Sequence, residues 1–221
     1  NIAILSGDTL LIEAYNHFLE GNYANLSALL TVFNQTAIEV CEGQQLDMNF
    51  ESRDDVTIDE YINMIKLKTS VLLGGALKLG ALVGSAPDTE ADLIYNFGVN
   101  LGIAFQLQDD YLDCFGDPEK FGKQVGGDII SNKKTFLMLK ALELDSSKLL
   151  QSWVDKRDFD VSVKVEAVKA IYKDLKVDQL AFDLMDAYYQ KSIQFLKKIN
   201  VPEDKKKVLE DFASHLMKRA S

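Results

Sequence analysis

An all-α fold is predicted by three features of the 221-residue chain: helical periodicity dominates, no strand-type alternation persists, and punctuation is sparse. Three prolines and 13 glycines are too few turn residues for an all-β protein of this size. With 47% apolar content the chain can bury one sizeable core, so a single helical domain over 1–221 is expected.

The elements can be taken in order. Ser6 or Asp8 can open a first helix through Leu10, Leu11, Ala14, Tyr15 and Phe18, ending near Gly21. A second is expected from about Ala24 to Asp47, with Leu26, Leu29, Leu30, Phe33, Ala37 and Val40 as its apolar stripe. Phe50 to Val56 reads as a charged loop. Thr57-Ile58-Asp59-Glu60 is a capping box, in which Thr57 and Glu60 satisfy orphan backbone donors. Its helix should continue through Tyr61, Ile65 and Leu72 to about Gly84. Pro87-Asp88-Thr89 opens the next, which carries Ile94, Phe97, Leu101, Phe105 and Tyr111 toward Gly116. Gly98 and Gly102, four apart, leave one face without side chains, so a neighbouring helix or a ligand can approach closely. Gly116-Asp117-Pro118-Glu119 and the glycines at 122, 126 and 127 mark an irregular loop. Beyond it, amphipathic helices are expected at about 132–144, 146–157, 160–175, 178–198 and 203–219.

Charge narrows the function classes. Lys and Arg number 24 against 34 Asp and Glu, giving a net charge of -10, which argues against a nucleic-acid partner. An acidic protein that handles an anionic substrate needs local lysines or metal ions. Cys41 and Cys114 are too few and too far apart for a zinc site; each is expected to be a small buried hydrophobe in a reducing cytoplasm. His17 and His215 read as structural residues. No basic segment with an apolar core opens the chain, and no apolar run is long enough to span a bilayer, so neither a signal peptide nor a membrane anchor is expected. The chain opens Asn1-Ile2-Ala3-Ile4 without an initiator methionine, as though in the middle of a protein.

The segment Phe105 to Asp113 carries the most chemistry. On a helix Asp109 and Asp113 face the same way and repel each other, while Asp110 lies about 100° round. Such a cluster among Phe105, Tyr111 and Phe115 is either a solvated helix end or a cation site. Carboxylates without His or Cys select hard ions, and magnesium takes one or two carboxylates plus phosphates and waters. Downstream, a glycine-rich stretch offers Lys123 and then Lys133, a plausible diphosphate cradle. Upstream, Lys68 and Thr69 lie mid-helix in an apolar stretch, where a partly buried lysine needs an anionic partner.

Four segments, in this order, resemble the trans-isoprenyl diphosphate synthases, the farnesyl and geranylgeranyl diphosphate synthases. They are Gly43-Gln44-x-x-Asp47, the Lys68-Thr69 pair, Phe105-Gln106-x-x-Asp109-Asp110-x-x-Asp113, and Gly122-Lys123 followed by Gly127-Asp128-Ile129 and Lys133. The opening Gly7-Asp8-Thr9-Leu10 is similar to a further family segment, and the likeness runs from about residue 5 to 139. The resemblance implies an antiparallel helical bundle around a deep cavity, usually in a homodimer. It implies that Asp109 ligates magnesium directly, with Asp110 and Asp113 acting largely through metal-bound water. Lys68, Lys123 and Lys133 would hold the allylic diphosphate. Thr69, Phe105 and Gln106 would line the cavity, and Gln44 and Asp47 would support the site. The implied reaction is magnesium-assisted ionisation of an allylic diphosphate, followed by attack of isopentenyl diphosphate on the cation.

The chain also departs from that family. The first aspartate-rich motif, its arginine pair and the basic residues for isopentenyl diphosphate should precede the Gly-Asp-x-Leu segment, and none is present. Asp54-Asp55 lies after Gln44 and lacks the spacing. Residues 1–221 are therefore expected to carry one wall of the active site and to be inactive alone. Three rival readings stand beside this one: a class I terpene cyclase, a non-catalytic regulatory subunit and a purely structural helical domain. The cyclase motif Asn/Asp-x-x-Ser/Thr-x-x-x-Glu occurs nowhere in the chain.

Overall fold

The computed structural model describes residues 2–117 and 126–218, and all regular structure among them is helical. The helices are α1 (Ile2–Glu20), α2 (Leu26–Phe50), α3 (Ile58–Ile65), α4 (Val71–Val83) and α5 (Asp88–Phe115). A π-helical segment, Lys66–Ser70, joins α3 to α4. Six more follow: α6 (Gly127–Ile130), α7 (Phe136–Leu144), α8 (Leu149–Asp155), α9 (Val161–Asp174), α10 (Val177–Lys198) and α11 (Glu203–Met217).

Helix α5 is the axis of the bundle. Residues Phe97 to Ala104 are buried without a break, so every face of that stretch is covered, chiefly by α4, the π segment and α10. Its two glycines serve these contacts. A Cβ at Gly98 would stand 2.8 Å from Gly74 Cα of α4, and one at Gly102 would stand 2.7 Å from Ser70 Cα. It is a neighbouring helix that takes up the bare face, not a ligand. The apolar residues all round this stretch of α5 are thus buried within the chain.

Helix α1 is different. It buries no residue, and Ile4, Leu5, Leu10, Ile12 and Leu19 are exposed. Only Tyr15 and Phe18, which pack their rings on Phe33 of α2, tie its second half down.

Several expected boundaries shift. Helix α1 is already helical at Ile2, before the expected caps, and α2 runs on through Phe50. The capping box at Thr57 forms as expected: its hydroxyl accepts the Glu60 N–H while the Glu60 carboxylate accepts the Thr57 N–H. The helix it starts does not run regularly to Gly84. Five residues follow the wider π repeat, where the Val71 N–H donates to Lys66 O and the Ser70 hydroxyl to Ile65 O. The helix expected from 132 begins only at Phe136, because Asn132 is left-handed and Thr135 is the N-cap. Cys41 is exposed, contrary to expectation, because its face of α2 has no neighbour among the described residues; Cys114 is buried. No helix among the described residues is long and apolar enough to cross a membrane.

Candidate functional site

The C-terminal half of α5 brings its carboxylates to the junction of α3, the π segment, α6 and α7. Asp110 is buried, and both its oxygens are taken. The Tyr61 hydroxyl of α3 donates to Oδ2 at 2.6 Å. On Oδ1, Gln106 Nε2 donates at 3.2 Å and Lys133 Nζ at 3.5 Å. Lys133 also pairs with Asp128 at 3.3 Å. Asp128 sits in α6, whose start is fastened to α5: its backbone N–H donates to Asp113 Oδ2 at 2.9 Å, and Gly126 N–H to Asp113 O at 2.6 Å. The three aspartates therefore do separate things. Asp113 organises the following turn, Asp110 anchors α3 and Lys133, and Asp109 is half-buried on the same side of α5 as Asp113.

The second group lies on the π segment. Lys68 Nζ pairs with Asp47 of α2 at 2.6 Å. Thr69, next to it, donates its hydroxyl to Gln106 Oε1 at 3.2 Å. A polar chain thus runs from Thr69 through Gln106 to Asp110. Helix α2 comes close because Gly43 lies on the segment: a Cβ there would stand 2.6 Å from the Leu67 carbonyl carbon. Asp47 and Lys133 both line a cleft of about 930 Å³, with Met64, Asn132, Lys134 and Arg157 also on its walls.

Of the expected site residues, the structure gathers Asp47, Lys68, Thr69, Gln106, Asp110, Asp113 and Lys133 into one connected region. Phe105 is half-buried on α5 beside Gln106. Gln44 is exposed on α2, one residue past the Gly43 contact. Lys123 lies outside the described residues. Asp54 is fully solvated, 3.7 Å from Lys134. Two participants were not anticipated. Tyr61 reads in sequence as one more apolar position of α3, and nothing local marks it as the partner of a residue 49 positions on. Asp128 is visible in the Gly-Asp-Ile stretch, but only the fold brings it opposite Lys133.

The electrostatics follow from burial. Desolvation pushes the Asp110 carboxyl above its ordinary value, and Lys133, then Tyr61 and Gln106, pull it back. Desolvation, with Asp110 and Asp113 nearby, pushes Asp128 up to about 6. For Lys133 burial acts downward, but Asp110 and Asp128 outweigh it and the net shift is upward. Burial also holds the Tyr61 phenol far above its ordinary value, so it acts as a donor.

Two predictions arise here. Replacing Tyr61 with Phe removes a hydrogen bond to a buried carboxylate and should cost about 1.5–3 kcal/mol in urea unfolding. A loss too small to resolve would mean that Asp110 is protonated or resolvated. The second concerns pH. Asp128 binds its proton more tightly in the native state than in the unfolded chain, where the ordinary value is 3.8. Its contribution to stability therefore rises as pH falls from about 6 toward about 4 and is absent at higher pH. Without divalent cations, native protein should gain stability between about pH 7 and pH 5, and Asp128→Asn should blunt that gain.

Among the described residues no three His, Cys, Asp or Glu side chains stand close enough together to hold a metal ion by themselves. That is compatible with magnesium, which needs only one or two carboxylates when phosphate oxygens and waters complete its shell. The donor set of Asp109, Asp110 and Asp113 is purely carboxylate, as a hard ion requires.

Comparison with known proteins bears on the same residues. Residues 1–175 match the family described as Polyprenyl synthetase. The chain is 42% identical over 148 residues to a short chain isoprenyl diphosphate synthase of Methanothermobacter thermautotrophicus, covering 66% of this chain and 46% of that protein. It is 33% identical over 223 residues to a geranylfarnesyl diphosphate synthase of Natronomonas pharaonis, covering 99% of this chain and 63% of that protein. A crystal structure of a geranylgeranyl pyrophosphate synthase superposes with a TM-score of 0.93 at 46% identity, over 99% of this chain and 68% of the other. The chain thus spans about half to two thirds of the length of these curated relatives.

Proposed function

Because the chain belongs to the polyprenyl synthetase family, we propose that the protein is a prenyltransferase condensing an allylic diphosphate with isopentenyl diphosphate into a short-chain, all-trans prenyl diphosphate of the farnesyl or geranylgeranyl class. The observation that carries the reading is a pair of lysines beside one cleft, each held by a carboxylate: Lys133, on the cleft wall, by Asp110 and Asp128, and Lys68 by Asp47, which itself lines the cleft. Lysines so arranged suit a diphosphate. An arriving phosphate oxygen can take over each ammonium, and the carboxylates are then released toward a cation. Magnesium, held through Asp109 with Asp110 and Asp113 behind it, would neutralise the charge that develops on the leaving diphosphate.

The remaining work falls to the chain. Lys68 and Lys133 stabilise the leaving group electrostatically, with Lys123 as a further expected contact. Thr69 and Gln106, fixed to each other and to Asp110, would stand beside an allylic cation and stabilise it, with Phe105 as an aromatic wall. Asp47 supports Lys68 from α2, and Gln44 would support the site from the same helix. Excluding water from the cation is the task of the helical walls. The exposed apolar face of α1 supports a homodimer, since a second copy would cover it.

The test is a reaction of full-length protein with magnesium, labelled isopentenyl diphosphate and an allylic diphosphate. Elongation is expected, and Asp109→Ala should abolish it. Diphosphate release with a cyclic hydrocarbon and no uptake of label would favour a cyclase. No consumption of either substrate would favour the regulatory subunit.

A further inference from the structure

Lys164 is a lysine with no exposed surface, and it lies on α9, outside every group already placed in the site. Its ammonium donates to Asn132 Oδ1 at 2.7 Å and to Ile130 O at 3.4 Å, and it stands 4.2 Å from the centre of the Phe159 ring. Among the described residues, two neutral oxygens and an aromatic face are what compensates this buried cation. A methionine would fill the same space without the cost of desolvating a charge. A cation kept in such a place has a task that its hydrogen bonds identify.

One oxygen belongs to the last residue of α6 and the other to the turn that leads on to α7. Asn132 is left-handed there, with φ at 52°, which reverses the chain immediately before Lys133. Its carboxamide is held at both ends: Lys164 grips the oxygen, and the nitrogen donates to Val154 O of α8 at 3.1 Å. The next residue returns to the site, with the Lys133 N–H on Asp128 O at 2.9 Å and its ammonium between Asp110 and Asp128. Asn132 and Lys133 both face the cleft.

We propose that Lys164 is a positioning residue: through the Asn132 carboxamide and the Ile130 carbonyl it fixes the turn that aims the Lys133 ammonium at a bound diphosphate. The inference deepens the reading above and rests on its diphosphate site. Burial lowers the Lys164 pKa from the ordinary lysine value but leaves its donors directed at the turn. Lys164 does not itself line the cleft, whereas Asn132 and Lys133 do, so its effect is expected to pass through that turn.

A double-mutant cycle tests this in the full-length protein, with the affinity for inorganic diphosphate in the presence of magnesium read by calorimetry. Lys164→Met should weaken binding about tenfold when Lys133 is present and leave it unchanged in a Lys133→Met background. Asn132→Ala, which cuts the same link but keeps Lys164, should behave alike and serves if Lys164→Met does not fold. Equal weakening in both backgrounds would overturn the proposal, since it would indicate a general loss of structure. Failure of the wild type to bind diphosphate would overturn it too. Binding without prenyl transfer would count only against the proposed reaction.

Discussion

Replacing Lys133 with methionine is expected to lower kcat/KM for prenyl transfer about a hundred- to a thousandfold, the usual loss when one prepositioned electrostatic group is removed. Methionine keeps a similar aliphatic length, so the change is chiefly one of charge. Two things are lost at once. The leaving diphosphate has one cation fewer, and Asp110 and Asp128 lose the only ammonium bonded to them among the described residues. Both carboxyls then hold protons more tightly, which also makes them poorer partners for a metal. The measurement is steady-state kinetics on full-length protein across a magnesium series. A loss that excess magnesium restores would locate the defect in metal binding; one that it does not restore locates it at the leaving group. A change of less than about threefold would remove Lys133 from the site.

Gly43→Ala should cost about 3 kcal/mol or more, because the added methyl meets fixed backbone. The added carbon would overlap the Lys68 amide nitrogen and stand 2.6 Å from the Leu67 carbonyl carbon, both backbone atoms that cannot rotate away. Either α2 retreats or the π segment is displaced, and the second outcome moves Lys68 and Thr69 together. Gly80→Ala makes the control: Gly80 is an exposed position of α4 with nothing within 4 Å of its Cβ, and the change should stabilise by about 0.5–1 kcal/mol. Urea unfolding of both variants settles the comparison. Equal stability would mean that α2 can slide along its neighbour at no cost.

Much of this was legible because it is local. The capping box at Thr57 needs only four residues, and the long α5 announces itself by Pro87 and an unbroken apolar pattern. The aspartate cluster is conspicuous because like charges at helical spacing on an apolar helix demand a compensating partner. What sequence did not show is contact between distant segments. Tyr61 and Asp110, or Lys164 and Asn132, have no local pattern that pairs them, and a buried Tyr or Lys looks like any other position on an amphipathic face. The sequence pattern predicts a helix from about 132, but in the structure Asn132 is left-handed and its side chain is held by contacts from α8 and α9.

The five residues from Lys66 to Ser70 contain, in effect, one amino acid more than the helix on either side has room for. That surplus sets the phase between two faces: Tyr61 and Ile65 before it point into one part of the core, and Gly74 and Gly75 after it meet Tyr95 and Thr36. Removing a single residue such as Leu67 would let the stretch relax into ordinary α-helix, turning everything downstream by about 100° relative to everything upstream. The bare glycine surface would then swing away from α5 and be replaced by bulkier groups. Length, more than composition, is what this stretch must preserve, so shortening it by one residue should be far less tolerated than exchanging any of its exposed side chains.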